Sequence, residues 1–588
     1  LRAQLSTDIT DTKQTLEYET ERPNSLYDPS GSFQNINRRY DIVYGDVMLN
    51  FNYNIRRFDI AATLGWTGRY ENMNNMRVST NGGLVTENWF DLNASRYTAS
   101  STLQRMELLK TGYMGTLSLG WDNYLFLELT GRQERSSTLK DQSFFYPSAN
   151  LSFLFSNAFR MPAWWNHGKL RLSYGVVGNA PETYAANIIY EQGSDNGFTW
   201  NYVPSSWGNA NIRPEKKYEY EIGFESKFLN NRLGFDVSYY NNRVKDQILS
   251  TPQPSTSGVK YVLMNVGEVA NEGWDISVSA TPVLTKNFRW DLTANYGIYR
   301  NKVVKLADGV PYLEISNIGG GGAKIQAVEG RPMGDIYVQV PQMNENGEYL
   351  VSDKGLYMNQ TELQRVGNIN PDGVGGLFSS FSYKNIFLDF SIDFRIGGDV
   401  INEMYQYSTA SGLTPESLQF RDTEHGGLSY YYPGNNNASG VPVQVDPSLG
   451  AGPNGETVYH DGVILPGVVA STGEKNTRII PAGYYYNQTY NWGTQPEQLT
   501  YRHSVFDNSY VKLRELTIGY QFPEKLISKL GMTRLSVSVF GRNLFYFYKA
   551  LKNYDAESSV GTSWASQAVV GGSTTATRNF GVSLRASF

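Results

Sequence analysis

The chain has 588 residues, no cysteine, four histidines and a formal net charge of −5, with 14% aromatic and only 18% charged residues. The missing cysteines remove disulfide frameworks, thiolate metal sites and Cys nucleophiles together. His167, His425, His460 and His503 lack any HExxH-like spacing, so no metal or cofactor is expected, and without a basic stripe nucleic acid is a poor partner.

Forty-two Tyr, 28 Phe and 57 Gly in so lightly charged a chain favour an aromatic-rich β protein. At the start, LRAQLSTDITDTKQ has neither the basic cluster nor the apolar centre of a signal peptide, and it reads as a strand before residue 20 in a chain expected to be a mature fragment. No apolar run approaches the roughly 18 residues of a spanning helix, which excludes a helical membrane protein.

Period-two alternation, the mark of a strand, then recurs along the chain. Val47, Leu49, Phe51 and Tyr53 alternate with polar partners, as do Phe58, Ile60, Ala62, Leu64 and Trp66. Leu125, Leu127 and Leu129 follow, then Leu170, Leu172, Tyr174 and Val176. Tyr218, Tyr220, Ile222, Phe224 and Phe228 oppose Glu219, Glu221, Glu225 and Lys227, and further copies run through 233–239, 274–280 and 288–298. In IFLDFSIDFRIGGD, Leu388, Phe390, Ile392, Phe394 and Ile396 take one parity while Asp389, Ser391, Asp393 and Arg395 take the other. The last copies fall at 535–539 and 580–588.

Short turns near 54–57, 122–123, 166–168, 230–231, 286–287, 384–385 and 531–534 alternate with long irregular segments, chiefly 180–214, 302–374 and 400–505. Two strands per turn, an opening strand and a closing one at 574–588 predict about 16 strands. Short connections at one end and long loops at the other are the plan of a transmembrane antiparallel β-barrel, with periplasmic turns and extracellular loops. A lipid-facing Lys or Arg costs roughly 2–4 kcal/mol near the bilayer midplane, so charges should keep to one parity, and they do with few exceptions. In VKLRELTIGYQF the apolar series shifts from Val511 and Leu513 to Leu516, Ile518, Tyr520 and Phe522, which predicts a β-bulge near Arg514 and Glu515.

Candidate sites follow from this frame. Glu219, Glu221, Glu225, Asp389, Asp393 and Arg395 lie on the polar parity and are expected to line a wet lumen rather than to catalyse. Trp66, Trp121, Trp274, Trp290, Tyr520 and Phe522 lie toward strand ends, as aromatic girdles require. The loop residues Tyr430, Tyr431, Tyr432, Tyr484, Tyr485 and Tyr486 are candidate contacts to a solute or a lid, because tyrosine is rigid and amphipathic. SNIGGGGAK (316–324) lacks Walker spacing and reads as a flexible loop, and QMNENGEYLVSD (342–353) departs from an EF-hand and reads as a turn at Asn346 and Gly347.

RLSYGVVGN (171–179), NVGEVANEGWDISVSA (265–280), EGRPMGDIY (329–337) and the run VGNINPDGVGGLFSSFSYKNIFLDFSIDFRIGG (366–398) resemble the SusC/RagA family of TonB-dependent outer-membrane transporters. The resemblance continues through SVFDNSYVKLRELTIGYQFP (504–523), VFGRNLFYFYKALKNYDAESS (539–559) and the terminal Phe588. It implies a 22-stranded barrel in the outer membrane of a Gram-negative bacterium, of which this chain holds the C-terminal barrel portion, 1–588, without the plug, the TonB box and about six strands. It also implies energy from TonB through that N-terminal part, a SusD-like surface lipoprotein as lid, oligosaccharide or peptide import, and a dimer of transporter–lid pairs. The chain is accordingly expected not to be an enzyme. A passive porin of 16 strands and a soluble or surface β-rich adhesin are the competing readings.

Overall fold

The structure, a computed structural model, describes residues 1–20, 30–140, 143–195, 198–318, 322–490, 501–572 and 576–588. Sixteen strands belong to one antiparallel sheet in chain order: β1 Arg2–Tyr18, β2 Ser32–Ile55, β3 Phe58–Leu84, β4 Ser95–Trp121, β5 Leu125–Ser136, β6 Ser143–Phe153, β7 Trp165–Asn179, β8 Glu215–Phe228, β9 Leu233–Lys245, β10 Glu268–Leu284, β11 Phe288–Lys305, β12 Gly373–Tyr383, β13 Ile386–Ile396, β14 Tyr510–Gln521, β15 Arg534–Lys549 and β16 Asn579–Ser587. The chain divides into two compact units, Leu1–Ser226 with Tyr240–Ala270, and Lys227–Tyr239 with Asn271–Phe588.

In the first unit the register carries each alternating strand's apolar parity onto the next. Phe51 lies opposite Ala62, Ala62 opposite Leu117, Leu117 opposite Leu129, Leu129 opposite Ala149 and Ala149 opposite Tyr174. One residue along, a polar row runs Asn52, Ala61, Ser118, Glu128, Asn150 and Ser173. Directly opposed residues share a face, so the sheet has one greasy side and one wet side. The second unit repeats this, with Trp290, Phe381, Leu388, Ile518, Val539 and Val582 in one row and Asp291, Ser380, Asp389, Thr517, Phe540 and Gly581 in the next.

Leu64, Val539 and Val582 are 63, 57 and 72% exposed. Leaving such a side chain in water forgoes roughly 1.5–3 kcal/mol of burial, so a face of them calls for an apolar medium. The buried clusters instead sit largely in the long connections: Ile325, Ile336, Ile401 and Tyr501 form one, and Leu356, Val463, Leu465 and Ile480 another. A soluble sandwich, with its apolar faces meeting at a dry centre, would show the reverse.

Several expectations need correction. β1 to β4 run for 17 to 27 residues, well past the apolar band, because cross-strand pairing continues where both faces are polar and alternation no longer reports it. Residues 166–168 lie inside β7; the turn is at 154–164 and contains the one-turn helix Phe155–Ala158. The turn expected at 531–534 is longer, with helical turns at Glu524–Ile527 and Ser528–Leu530. The turns at 122–123 and 230–231 stand where expected, on left-handed Asp122, Asn123, Asn230 and Asn231, residue types that tolerate positive φ.

The long connections are not irregular either. Within 302–374, strands Tyr312–Ile318, Ala323–Val328, Asp335–Val338 and Gln364–Asn368 form a four-stranded sheet, so most of the segment 316–324 is strand rather than loop, its residues 319–321 lying outside those described. Within 400–505, helices α1 Glu403–Ala410 and α2 Ala482–Tyr490 pack against each other through Tyr405, Ala410, Ala482, Tyr486 and Tyr490. Residues 344–348 form a turn in which the Asn344 carboxamide accepts from the N–H groups of Asn346 and Glu348, at 3.0 and 2.9 Å. The closing strand is β16, and residues 574 and 575 of its expected span lie outside those described.

Candidate functional site

The polar face of the first unit forms a cavity of about 730 Å³ whose walls include Asn52, Asp59, Ser118, Glu128, Asn150 and Arg171. Each is there because its strand alternates, and neighbouring rows cross-link them. Ser118 and Asn150 donate to Glu128 at 3.5 and 3.3 Å, Thr63 donates to Asn50 at 2.9 Å, and Arg171 meets Glu225 at 3.5 Å. Glu219 pairs with Lys217 at 2.5 Å and accepts from Asn242 at 3.3 Å; Glu221 lies half-buried on the same parity. Such spaced, mutually paired groups can hydrate and slide a polar solute. They do not converge on one reacting atom.

In the second unit a cavity of about 630 Å³ is walled by Asp236, Asp275, Asn295, Asp393, Arg395 and Tyr510. Asp393 and Arg395 are thus brought together, while Asp389 sits lower on its strand and accepts from Ser380 at 2.6 Å. Arg395 donates to the carbonyls of Ile369 and Gly397, at 3.0 and 3.2 Å, which ties the strand end to the connection before it. The register skips Arg514 on both sides, so the bulge falls at the expected place. Arg514 reaches Asp393 at 2.6 Å and both oxygens of Glu557, while Lys512, 2% exposed, also meets Glu557 at 2.5 Å. Burial alone would raise the Glu557 carboxyl, but hydrogen bonds from Arg514 and Lys512 outweigh it and hold it at about 2. Sequence reasoning missed Glu557 and Lys512; only the parity break at Arg514 pointed toward them.

Two serines stand on the apolar parity and each is covered by an indole. Trp165 donates to the fully buried Ser226 at 2.6 Å, and Trp290 donates to Ser379, 1% exposed, at 2.9 Å. Trp121, Trp290, Tyr520 and Phe522 lie beside short turns, with Trp121 stacked on Phe58, Trp290 on Phe381 and Tyr520 edge-on to Phe522. Trp66 and Trp274 lie farther along β3 and β10, 39 and 46% exposed.

The loop tyrosines divide by burial. Tyr430 is buried, donates to Asp461 at 3.1 Å and stacks on Tyr459, and Tyr486 is buried with its hydroxyl donating to the Glu416 carbonyl at 2.8 Å. Burial pushes both phenols up. These two order the loops. Tyr431, Tyr432 and Tyr485 are half-buried and Tyr484 is exposed. A third buried group, Asp335, accepts from Arg331, Arg365 and Asn368 at 2.6, 2.8 and 2.9 Å; burial would raise its carboxyl, and these partners hold it below the usual range.

Residues 1–335 match the family model described as TonB dependent receptor-like, beta-barrel. TonB-dependent receptor P3 of Formosa agariphila is 22% identical over 494 residues, covering 76% of this chain and 42% of that protein. TonB-dependent receptor SusC of Bacteroides thetaiotaomicron is 27% identical over 256 residues, covering 38% and 24%. Among solved structures, the RagAB peptide importer in the open-open state shares the fold with a TM-score of 0.70 at 18% identity, over 100% of this chain and 59% of that one. The RagAB peptide transporter gives 0.69, also at 18% identity, over 94% and 57%. The chain therefore spans about half, or less, of the length of these proteins.

Proposed function

The chain belongs to the TonB dependent receptor-like β-barrel family, and on that premise we propose that it is the barrel portion of an outer-membrane importer of oligomeric nutrients in a Gram-negative bacterium. The importer is energised through TonB, takes oligosaccharides or peptides, and works beneath a SusD-like surface lipoprotein, with transporter–lid pairs able to dimerise. The observation that carries the reading is the pair of rows in each unit, aliphatic and aromatic residues on one face and mostly Asn, Ser, Thr, Glu and Asp on the other. Hydrocarbon accepts only backbone that is paired internally, which the ladders of the main sheet provide on both sides for β2 to β15.

In this reading Glu219, Glu221, Glu225, Asp389, Asp393 and Arg395 line the path. Trp121, Trp290, Tyr520 and Phe522 mark the periplasmic water boundary, and Trp66 and Trp274 the opposite one. Trp66 follows the first residue of β3 by eight positions, a rise of roughly 20 Å on strands tilted by about 40°, somewhat short of the roughly 25 Å apolar band of such barrels. Tyr484, Tyr431 and Tyr432 present rings toward a solute or the lid, braced by Tyr430, Tyr485 and Tyr486. Solute held between loops and lid passes along the polar face when TonB rearranges the plug.

Uptake of a labelled oligomer pool by cells carrying the full-length protein tests this. Uptake should stop when the proton gradient is collapsed. Uptake that continues unchanged identifies a passive pore instead.

A further inference from the structure

Three turns of the second unit, 285–287, 384–385 and 522–533, stand side by side at one end of the main sheet. Backbone bonds join them directly: the Lys384 N–H donates to the Asn287 carbonyl at 2.7 Å, and the Gln521 N–H to the Asn385 carbonyl at 2.8 Å. They form one continuous rim. The row of the greasy face beside it runs Phe288, Tyr383, Ile386 and Tyr520, each opposite the next.

The rim is cationic in a chain that is not. Residues 284–288, 383–386 and 522–534 hold Lys286, Lys384, Lys525, Lys529 and Arg534 against Glu524 alone, while the whole chain carries a net charge of −5. All five cations are exposed, and none is in an ion pair among the described residues. Lys384 lies over the Tyr383 ring, its ammonium 5.4 Å from the centroid, so one cation is held directly against the aromatic row.

The 522–533 turn adds an apolar edge. Its two helical turns bury Ile527 and leave Leu526 and Leu530 63 and 65% exposed. Leu526 and Leu530 are four positions apart, as are Lys525 and Lys529, so the leucines share one side of the turn and the lysines the next. Exposed leucines beside unpaired lysines, next to a row of aromatic and aliphatic side chains, make an interfacial segment: acyl chains cover the leucines and head-group phosphates meet the ammonium groups. A soluble polyanion, such as a cell-wall polymer, supplies the charge but leaves the leucines in water, which sets lipid ahead of it.

We propose that this rim is a docking site for the anionic phospholipid head groups of the leaflet that faces the periplasm. The site rests on the reading of the apolar rows as lipid-facing, and it is independent of what the protein carries. Phosphates held along the rim set the depth at which the strands sit in the bilayer.

The test titrates the full-length protein in a neutral detergent with phosphatidylglycerol and, in parallel, with phosphatidylcholine of the same acyl chains, counting bound lipid by native mass spectrometry. A cation beside an anionic lipid surface is worth roughly fivefold in affinity. Phosphatidylglycerol should therefore bind at least about tenfold tighter than phosphatidylcholine, Lys525→Gln with Lys529→Gln should erase most of that preference, and replacing all five cations by Gln should abolish it. Arg300→Gln with Lys302→Gln removes two exposed cations near the far end of β11 and should leave the preference unchanged. Hydrogen exchange gives an independent reading: exchange within 522–533 should be slower in phosphatidylglycerol bilayers than in phosphatidylcholine ones. Equal affinity for the two lipids, a preference that survives loss of all five cations, or one lost equally in the Arg300 and Lys302 variant overturns the site. Displacement of phosphatidylglycerol by soluble peptidoglycan fragments, with Leu526→Ser and Leu530→Ser changing nothing, assigns the rim to the cell wall and overturns it too. Gradient-independent uptake with the lipid preference intact overturns the import reading alone, and gradient-dependent uptake without the preference overturns only the lipid site.

Discussion

Arg514 donates through Nε to Asp393 at 2.6 Å, and it can do so because it is the extra residue of a β-bulge, skipped by the register on both sides. Without the extra residue, Val511 and Leu513 could not share a face with Leu516 and Ile518. Deleting Arg514 should therefore be worse than replacing it. Arg514→Ala keeps the count and loses charge-assisted bonds to Asp393 and Glu557, costing roughly 1–2 kcal/mol at a partly exposed site. The deletion flips the start of β14 and turns Lys512 toward lipid, at a cost approaching the roughly 2–4 kcal/mol of a midplane charge. Folded yield in detergent, read from heat-dependent gel migration, checks this; equal yields for the two variants would remove the bulge from the argument.

Glu557 fastens the connection between β15 and β16 to the same bulge. Its folded value of about 2 lies below its ordinary value of 4.5, so the stabilisation is complete above 4.5 and is lost as pH falls from 4.5 toward 2. Acid should release this connection in that window, seen as protease cleavage within 550–578. Glu557→Gln should abolish the acid step. An unchanged cleavage profile in the variant assigns the step to another group.

How far these features were legible depended on what imposes a period. Where one face meets an apolar medium, a misplaced charge is costly, and strands such as 386–396 announce themselves. The bulge was legible for the same reason, as a break in that period. Beyond the apolar band β3 and β4 pair with water on both sides, nothing forces alternation, and their length was not readable. The Asp335 node was invisible because Arg365 stands 30 positions away and meets it only once four short strands have folded together. Ser226 and Ser379 stand on the apolar parity with a hydroxyl each, and no local pattern in the sequence signals that Trp165 and Trp290 cover them.

Asp335 offers a way to loosen one connection while leaving the spanning strands alone. Its carboxylate is fully buried between guanidinium groups that are themselves about two-fifths exposed. Asp335→Ala leaves both unpaired, and their exposure limits the loss to roughly 1–3 kcal/mol. Limited proteolysis should cut the variant within 306–372 while the remaining strands stay protected. Loss of the whole fold would mean that the small sheet is part of one cooperative unit with the strands.

The two faces of the main sheet can be separated with one substitution each on adjacent residues. Leu64 stands in the apolar row and Thr63 in the polar one, where it donates to Asn50. Leu64→Arg places a guanidinium against acyl chains and should destabilise the bilayer-inserted protein by roughly 2–4 kcal/mol, less if the position lies near the headgroups. Thr63→Arg loses one exposed hydrogen bond and keeps its charge in water, so it should cost under about 1 kcal/mol. Denaturant unfolding from lipid vesicles measures both. Because the residues are neighbours, depth, strand and local packing are nearly common to the pair, and only the direction of the side chain differs. Equal costs would mean that lipid does not touch the Leu64 face, and the importer reading would lose the observation on which it stands.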